Sequence, residues 1–468
     1  MSFVFYDTET TGTDASFDQI LQFAAVRTDA DLNELDRFEI RCRLLPHIVP
    51  SPAAMCVTKL PAAQLFDPAL PSYYEMACEI RKTLLAWSPA LFIGYNSLIF
   101  DEHLLRQTFY KTLHPPYLTN TDRNSRSDAL RIVQAASLFA PNALKFPIGL
   151  VGETIFRLDQ VAPLNGFVHD RAHDALADVE ATIFLCRALV ERAPDLWSSF
   201  MRFSQKAAVV DHISSEPIFC LSDFYFGEPY SWLVTVIGYD VENKSEFYVY
   251  NLQIEPETLV GLSDDELVAR LAISPKPVRR LRANASPIIM PTDEAPSIAS
   301  AAQLGSEELS RRADLLRGDT DFRSRLVAAF QATKEEQPPS PHIERQLYDG
   351  FFPKQDEPLI ARFHLVPWEE RLEIVNAFTD RRLKKIGQRL IYLERPDLLP
   401  ARARADYDRA IVARIGRPDA GSPWLTLHGA LREIDELMAE ANADEMVFLQ
   451  THREHILSRM QHAAGILR

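Results

Sequence analysis

The pattern of apolar and polar positions divides the chain into three regions, the first of which covers residues 1–197. Short apolar runs at 3–6 and 91–95 end in polar residues there and alternate with amphipathic stretches. Such runs are typical of buried strands, and their alternation with helical periodicity indicates an α/β domain. Apolar residues recur at helical spacing over 182–190. We therefore expect the segment around Asp178 to open a long helix packed on the sheet.

The other two regions have different patterns of apolar and polar residues. Residues 198–350 contain β-rich runs at 231–237 and 246–250, followed by a helical pattern over 306–334. We expect a small antiparallel sheet or barrel with a helical segment. In residues 351–468 helical periodicity dominates, with interruptions at prolines and a glycine, which predicts a helical C-terminal extension.

Composition places the chain among ordinary globular proteins. It has 468 residues, of which 47% are hydrophobic and 25% are charged, so we expect two to four domains, and a monomer. No leader pattern and no run of about 18 apolar residues occurs, which predicts a cytoplasmic protein that does not span a membrane. The five cysteines include no Cys-x-x-Cys pair, which argues against a disulfide framework or a thiolate zinc site.

The net charge of −15 does not exclude a nucleic-acid substrate. Phosphate affinity comes from local Lys and Arg side chains, and a basic groove can track a backbone on a protein whose total charge is negative. Carboxylates gathered around metal ions would add to the negative total.

Asp7-Thr8-Glu9 follows the first apolar run. Alternation along a strand sends Asp7 and Glu9 to the same face, where two carboxylates repel each other unless a cation or proton lies between them. Hard divalent ions prefer such oxygen ligands. Taken alone, this motif is more often the end of a strand whose acids face solvent.

Two further signals follow along the chain. Asp101 stands at a predicted strand-to-helix junction, where it could also be a simple helix N-cap. His173 and Asp178 are five residues apart, about 500° along a helix, so they would not share a face of one helix. They could converge if Asp174 is the N-cap, because His173 would then precede the helix and Asp178 would lie in its first turn. His173 could also be a surface residue.

Together these four acids and one histidine meet the needs of phosphodiester hydrolysis. Two metal ions roughly 4 Å apart can activate water and stabilise the leaving oxygen, and a histidine can accept the proton of the water near neutral pH. Three loose motifs in this structural order are unlikely to coincide by chance, so we expect a metal-dependent hydrolytic site.

The order Asp-x-Glu, Asn-x-x-x-Phe-Asp and His-x-x-x-x-Asp resembles that of the DEDDh exonucleases. This resemblance implies a ribonuclease H-like fold, with two magnesium ions held by Asp7, Glu9, Asp101 and Asp178, manganese as a substitute, and His173 as the general base. It also implies release of nucleoside 5′-monophosphates.

A narrower resemblance is to the bacterial exodeoxyribonuclease I family. It rests on four stretches of sequence and on Phe378-Thr379-Asp380-Arg381-Arg382-Leu383, and it fades after about residue 395. The four stretches are Gln22-Phe23-Ala24-Ala25, Phe156-Arg157-Leu158, Ala172-His173-Asp174-Ala175 and Gln346-Leu347-Tyr348-Asp349-Gly350-Phe351-Phe352. The resemblance implies a DEDDh exonuclease domain over 1–197, an SH3-like domain over 198–350 and a helical C-terminal domain over 351–468, enclosing single-stranded DNA. It further implies processive 3′→5′ digestion in DNA repair and recombination.

The same resemblance implies substrate and partner contacts. Arg157 corresponds to an arginine at the terminal nucleotide, where Glu9 also contacts substrate, and the strand contacts are Arg106, Tyr117 and Lys206. Thr121 and Gln134 depart from the family at two DNA contacts, and His169 is interpreted as a packing residue. Leu316 and Arg323 correspond to a pocket for the acidic, hydrophobic C-terminal tail of single-stranded DNA-binding protein, in which Gln303 replaces a basic residue.

Two alternatives remain open from the sequence. One is a DEDDh exoribonuclease or a proofreading exonuclease, which the catalytic residues alone do not distinguish. The other is a nonenzymatic single-strand-binding adaptor, which the complete set of five catalytic positions disfavours.

Overall fold

The computed structural model describes residues 2–168, 174–299, 301–334, 338–418 and 421–466, with only the backbone of 464–466. In these residues the strands are β1 (Ser2–Thr10), β2 (Ile20–Thr28), β3 (Glu34–Arg41), β4 (Ala90–Gly94), β5 (Ser125–Asp128), β6 (Phe219–Tyr225), β7 (Glu228–Tyr239), β8 (Glu246–Asn251), β9 (Val278–Arg282) and β10 (Ile288–Met290).

The described α-helices are α1 (Pro52–Thr58), α2 (Ala62–Leu65), α3 (Tyr73–Trp87), α4 (Asp101–Lys111), α5 (Ala129–Phe139), α6 (Leu158–Leu164), α7 (Ala175–Arg192), α8 (Pro194–Phe203), α9 (Lys206–Ser215), α10 (Glu257–Val260), α11 (Asp264–Ala272), α12 (Ser306–Gly318), α13 (Thr320–Ala332), α14 (Glu357–Leu365), α15 (Trp368–Ala377), α16 (Arg381–Glu394), α17 (Ala401–Gly416), α18 (Leu427–Met438) and α19 (Ala443–Ile466). Short 3-10 helices cover Leu118–Asn120, Thr292–Glu294, Ile343–Tyr348 and Pro396–Leu398.

The first sheet has the strand order β3-β2-β1-β4-β5. β1 lies at its centre, antiparallel to β2 and parallel to β4, and β4 is parallel to β5. Side chains from β1 are buried on both faces: Phe3 and Phe5 belong to one apolar cluster, and Val4 and Tyr6 to another. Burial on both faces explains the continuous apolar run in this strand. The predicted ribonuclease H-like α/β domain is confirmed.

The second sheet is antiparallel throughout and has the order β10-β6-β7-β8-β9. Helices α11 and α13 contact each other, and α12 and α13 contact β7. The β-rich middle region and the helical segment after it are thus confirmed. Their apolar side chains join the cluster that also contains the α5 and α7 side chains, so the middle region packs directly on the nuclease domain.

Helices α14 to α19 form the predicted helical extension, which contacts the first domain. The hydroxyl of Tyr74 lies 2.9 Å from Nδ1 of His364 in α14, and the hydroxyl of Tyr110 donates a 2.9 Å hydrogen bond to the carbonyl of Ile343, in the 3-10 helix just before the extension. Tyr74 and Leu113 of the first domain share an apolar cluster with Phe363 of α14. These contacts fix the extension against the side of the sheet that carries α3 and α4.

The expected boundary at residue 197 falls inside α8. This helix packs on α5 and α7 of the first domain, so we propose that the first domain ends after Phe203. Helix α7 ends at Arg192 and α8 begins at Pro194, with only Ala193 (φ −144°) between them. The proline here starts a helix of the same domain and does not mark a domain boundary. Among the described residues, none of the helices is both long enough and apolar enough to cross a membrane; the cytoplasmic location and monomeric state stay predictions.

Candidate active site

Strand β1 and helix α7 bring three carboxylates together. Asp7 and Glu9 alternate with Thr8 along β1, and a register shift follows Glu9. Asp178 lies in the first turn of α7, which packs across β1 and β2. One carboxylate oxygen from each of Asp7, Glu9 and Asp178 lies within 4.8 Å of the other two. Residues separated by 171 positions in sequence therefore share one site.

Asp101 lies beside this group, at the first position of α4, and is buried. Its Oδ1 accepts a 2.5 Å hydrogen bond from the Oγ1 of Thr8. The 4.8 Å group does not include Asp101, yet its charge acts on both Asp7 and Glu9. The structure thus places all four predicted acids in one neighbourhood, with three of them in closer contact.

The electrostatics of the group favour a cation. Burial raises the pKa of Asp7 well above its ordinary value, and the charges of Asp101 and Asp178 raise it further. Burial and the same two neighbours raise the pKa of Glu9 to about 9, and burial raises the pKa of Asp101 to about 7. Carboxylates that repel one another in a buried site are stabilised by a proton or by a hard metal ion. The donor set therefore fits divalent metal ions.

The start of α7 is fixed by a polar network that sequence reasoning missed. The Asp174 side chain accepts from the backbone N of Ala177, which confirms the predicted N-cap. Its Oδ2 pairs with Nη2 of Arg41 at 2.9 Å and accepts from Nε2 of Gln22 at 3.2 Å. Gln22 lies directly opposite Glu9 in the sheet. These bonds tie the beginning of α7 to β2 and β3 beside the carboxylates. His173 and His169 lie outside the described residues.

Asp128 is a second positioning residue that the sequence analysis did not single out. This buried carboxylate caps α5 by accepting from the backbone N of Leu130. It also accepts from the backbone N of Asn96 at 2.7 Å and of Leu98 at 3.1 Å. Asp128 therefore holds the loop that leads from β4 to Asp101. The only local signal is an aspartate before a helix, which is typical of any N-cap.

Two of the predicted strand contacts, Arg106 and Tyr117, are neighbours. The Arg106 guanidinium carbon lies 5.1 Å from the centre of the Tyr117 ring. The Arg106 Nε pairs with buried Glu102 at 2.8 Å, and Arg126 pairs with the same carboxylate at 3.0 Å. The Arg106 side chain is thus positioned by a buried ion pair. Because the two guanidinium groups of Arg106 and Arg126 pair with one carboxylate, this ion-pair cluster keeps a net positive charge.

Arg157 and Lys206 have different surroundings. Arg157 precedes α6, is largely exposed and pairs with Asp159 at 2.7 Å. It lines a cleft that also contains Asp178. Lys206 is the exposed first residue of α9 and is absent from the described lining of that cleft. The structure therefore places Arg157, but not Lys206, in the cleft that Asp178 lines.

The predicted partner contacts require a correction. Leu316 has no exposed surface and packs in the core beneath α12. It can shape a pocket but cannot itself contact a peptide in this structure. Arg323, on α13, is partly exposed. The burial of Leu316 follows helical spacing, because the buried positions of α12 are Leu309, Arg312, Ala313 and Leu316.

Another group of metal-ligating residue types, Cys78, His114 and His364, lies between α3 and α14. The two imidazole rings stack with centroids 3.8 Å apart and planes at 14°. Lone pairs lie in the ring planes, so stacked rings direct them side by side and not toward one ion. The ring nitrogens of His364 also meet the Tyr74 hydroxyl and the Leu113 carbonyl, both at 2.9 Å. This group is a structural contact between the first domain and the extension.

Comparison with known proteins agrees with this architecture at both ends of the chain. A family model described as exonuclease matches residues 4–185, and one described as the exonuclease I C-terminal domain matches residues 341–459. Exodeoxyribonuclease I of Escherichia coli strain K12 is 28% identical over 406 residues, covering 82% of this chain and 84% of that protein.

Solved structures show the same fold over nearly the whole length. E. coli exonuclease I in complex with a dA16 oligonucleotide has a TM-score of 0.86 at 23% identity, covering 98% of this chain and 99% of the other. A structure of SSB/exonuclease I in complex with the inhibitor CFAM has a TM-score of 0.84 at 22% identity, with the same coverage. The matched exonuclease domain, the matched C-terminal domain and the curated relatives together show that the chain is similar to the exodeoxyribonuclease I proteins over most of its length.

Proposed function

We propose that this protein is an exodeoxyribonuclease that hydrolyses single-stranded DNA from its 3′ end and releases nucleoside 5′-monophosphates. The observation that carries the proposal is the convergence of Asp7, Glu9 and Asp178 within 4.8 Å, with Asp101 held beside them by Thr8. A binding adaptor has no use for repelling buried acids, whereas phosphodiester hydrolysis needs them to hold cations.

In this proposal Asp7, Glu9, Asp101 and Asp178 hold two divalent ions. Magnesium is the proposed ion and manganese a substitute, because the ligands are carboxylate oxygens. When bound, two such ions supply Lewis-acid activation of water and stabilise negative charge on the phosphate and the leaving oxygen. His173, as the proposed general base, accepts the proton of the attacking water, a role that suits an imidazole because its ordinary pKa is near neutral.

The remaining residues of the site orient these groups. Asp174, bonded to Arg41 and Gln22, fixes the start of α7, and α7 carries Asp178. Asp128 fixes the loop before Asp101. Exposed Arg157, beside Asp178 in the cleft, is placed to pair with a backbone phosphate of the terminal nucleotide. Small displacements of reacting groups are costly in rate, so the contacts of Asp174 and Asp128 support catalysis without touching the substrate.

Single-stranded DNA is the proposed substrate, and processive digestion is part of the proposal. A relative of the same fold holds a dA16 oligonucleotide, and the curated relatives are exodeoxyribonucleases. The middle and helical regions pack against the nuclease domain, so they can form the walls of a groove. RNA-trimming relatives consisting of little more than a nuclease domain would lack these walls. Repair and recombination are the proposed cellular context.

Digestion of labelled DNA tests the activity. Single-stranded and duplex oligonucleotides carrying a label at either end are incubated with magnesium, and an RNA strand of the same sequence serves as the comparison. We expect a ladder that shortens from the 3′ end of single-stranded DNA, with mononucleotide product. Release from the 5′ end, or faster loss of the RNA strand, would overturn the proposal.

The proposed protein partner is single-stranded DNA-binding protein, through its acidic C-terminal tail. The support is the partly exposed Arg323 and the solved SSB/exonuclease I relative. Titration of a labelled tail peptide should show weaker binding to Arg323→Glu than to wild type. Arg402→Glu, an exposed change on α17, is the matched control. Equal affinities for wild type and Arg323→Glu would remove this pocket from the proposal.

A further inference from the structure

The cleft that contains Asp178 has one wall from each of two domains. The nuclease domain contributes the segment from Glu153 to Asp159, and the middle domain contributes Phe226 and Gly227. These last two residues form the tip of the β6–β7 hairpin, between the paired residues Tyr225 and Glu228. The hairpin tip therefore reaches the cleft that Asp178, one member of the carboxylate group, also lines.

Phe226 is unfavourable for folding in two ways. Its side chain is 98% exposed, so the ring gains nothing from burial. Its φ is 55° and that of Gly227 is 82°, as in the two-residue hairpin turns that favour Asn-Gly. A bulky residue in the left-handed region is strained. Strain and exposure at one position point to a role outside folding.

The hairpin holds Phe226 in a fixed place. The Phe224 ring packs edge-on against the Phe156 ring, with centroids 5.2 Å apart. Asp223 pairs with Arg131 of the nuclease domain at 2.5 Å. A Cβ built on Gly227 would lie 2.5 Å from the carbonyl oxygen of Thr154, so only glycine allows this close approach. The tip is thus docked on the nuclease domain beside Arg157.

A second exposed apolar tip lies in the loop just before Glu153, the first residue of that wall. Leu150 and Val151 are almost completely exposed, at the end of a small loop closed by a bridge between Ile148 and Thr154. The backbone N of Gly149 also donates to the carbonyl of Glu153 at 2.8 Å. Two segments, the β6–β7 turn in the cleft wall and the loop that leads into that wall at Glu153, therefore present large apolar side chains to solvent. We call Leu150, Val151 and Phe226 the apolar rim.

We propose that the apolar rim binds an unpaired base of the strand whose 3′ end occupies the carboxylate site. This inference rests on the proposed function. An exposed aromatic face suits base stacking, which is tolerant of sequence, and Arg157 in the same cleft provides a cation for the adjoining phosphate. A base inside a duplex has both faces covered by its neighbours, so the rim selects single strands over duplex ends.

The decisive variant is Phe226→Asn. Asparagine tolerates the left-handed backbone, so the melting temperature should rise or stay constant, while the KM for a dT16 oligonucleotide rises about 10-fold, the effect of losing one stacked base. The kcat at saturating DNA should be unchanged. Phe226→Tyr keeps an aromatic face and should retain the wild-type KM. Tyr239→Ala, at the opposite end of β7 and also exposed, is the matched control and should have no effect.

A spectroscopic readout locates the base. Oligonucleotides with 2-aminopurine at successive positions from the 3′ end are bound in chelator, where no cutting occurs. Wild type and Phe226→Tyr should change the fluorescence at one or two positions, and Phe226→Asn should not. If Phe226→Asn has the wild-type KM and changes the 2-aminopurine fluorescence as wild type does, base binding by the apolar rim is overturned. A wild-type protein that degrades no DNA would instead contradict the proposed function, so the two failures are distinguishable.

Discussion

Thr8 donates a 2.5 Å hydrogen bond from its Oγ1 to Oδ1 of Asp101, which joins the centre of the first strand to the beginning of α4. The bond lowers the pKa of Asp101 against the effect of burial. Thr8 occupies the middle of the Asp-x-Glu motif, between two proposed metal ligands. Its side chain therefore positions a third ligand from the opposite face of the strand.

We expect Thr8→Val to slow DNA hydrolysis by about 10-fold, because contacts that orient metal ligands typically contribute 10- to 100-fold. The apparent magnesium affinity should fall at the same time. Thr8→Ser, which keeps the hydroxyl, should restore both values. Steady-state rates measured across a magnesium titration provide the test, and wild-type rates in Thr8→Val would show that Asp101 needs no such restraint.

The network around Asp174 gives a second prediction. Arg41→Ala removes the 2.9 Å ion pair that fixes the start of α7, so kcat should fall about 10-fold while the KM for DNA changes little. Arg37→Ala is the matched control, since Arg37 lies on the same strand in exposed pairs with Glu34 and Glu180. Exposed ion pairs contribute little. Equal kcat values for Arg41→Ala and Arg37→Ala would show that the ion pair between Arg41 and Asp174 is not needed for catalysis.

The raised carboxyl pKa values predict how stability depends on pH. Unfolded carboxyls titrate near pH 4, whereas the folded pKa of Glu9 is about 9 and that of Asp101 about 7. Between these values the folded state holds protons that the unfolded chain has released. Without metal, the free energy of unfolding contributed by this site therefore falls as pH rises from about 5 to 9.

Divalent ions should reverse this trend, because they bind the ionised carboxylates and bind the native state. The rise in melting temperature on adding magnesium should be larger at pH 8 than at pH 6. Asp7→Asn, which removes one of the repelling charges, should show a smaller difference between the two conditions. If the rise in melting temperature caused by magnesium is the same at pH 6 and pH 8, the raised carboxyl pKa values of this site are contradicted.

The stacked histidines predict that the stability of the contact between the first domain and α14 depends on pH in the opposite direction. Burial lowers the pKa of His114 to about 2 and of His364 to about 4, below the unfolded value near 6.5. The unfolded chain therefore binds more protons between about pH 4 and 6.5, and the stability contributed by this contact is lost as pH falls through that range.

Hydrogen exchange in α14 should consequently accelerate as pH is lowered from 6.5 to 4, beyond the intrinsic change in exchange chemistry. His364→Gln should reduce this acid-induced acceleration. Helix α18, which lies in a separate apolar cluster, is the internal reference. Equal pH dependence of α14 and α18 would show that the histidine contact does not control this part of the structure.

The parts of the site that the sequence predicted are those set by local rules. Strand alternation placed Asp7 and Glu9 on one face, and the N-cap rule placed Asp174 before α7 with Asp178 in the first turn. The resemblance at Gln22 marked a position that later proved to face Asp174, but gave no reason for it. Local periodicity also predicted the β-rich middle and the helical end.

The parts that could not be predicted depend on contacts between distant segments. Thr8 meets Asp101 across 93 residues, and Asp174 meets Arg41 across 133. Nothing in the sequence around Phe226 reveals that its turn docks beside Thr154. The pattern of apolar side chains shows which face of a single helix or strand is buried. Which two faces pack against each other depends on the tertiary structure.

The central claim is that the carboxylates of β1 and α7 form one hydrolytic site. The most direct test compares digestion of 3′-end-labelled single-stranded DNA by wild type, Asp178→Asn and Glu180→Gln, which lies on the same helix in an exposed ion pair. With equal melting behaviour in chelator, wild type and Glu180→Gln should release labelled mononucleotide in magnesium, and Asp178→Asn should release none. Undiminished release by Asp178→Asn would contradict the claim.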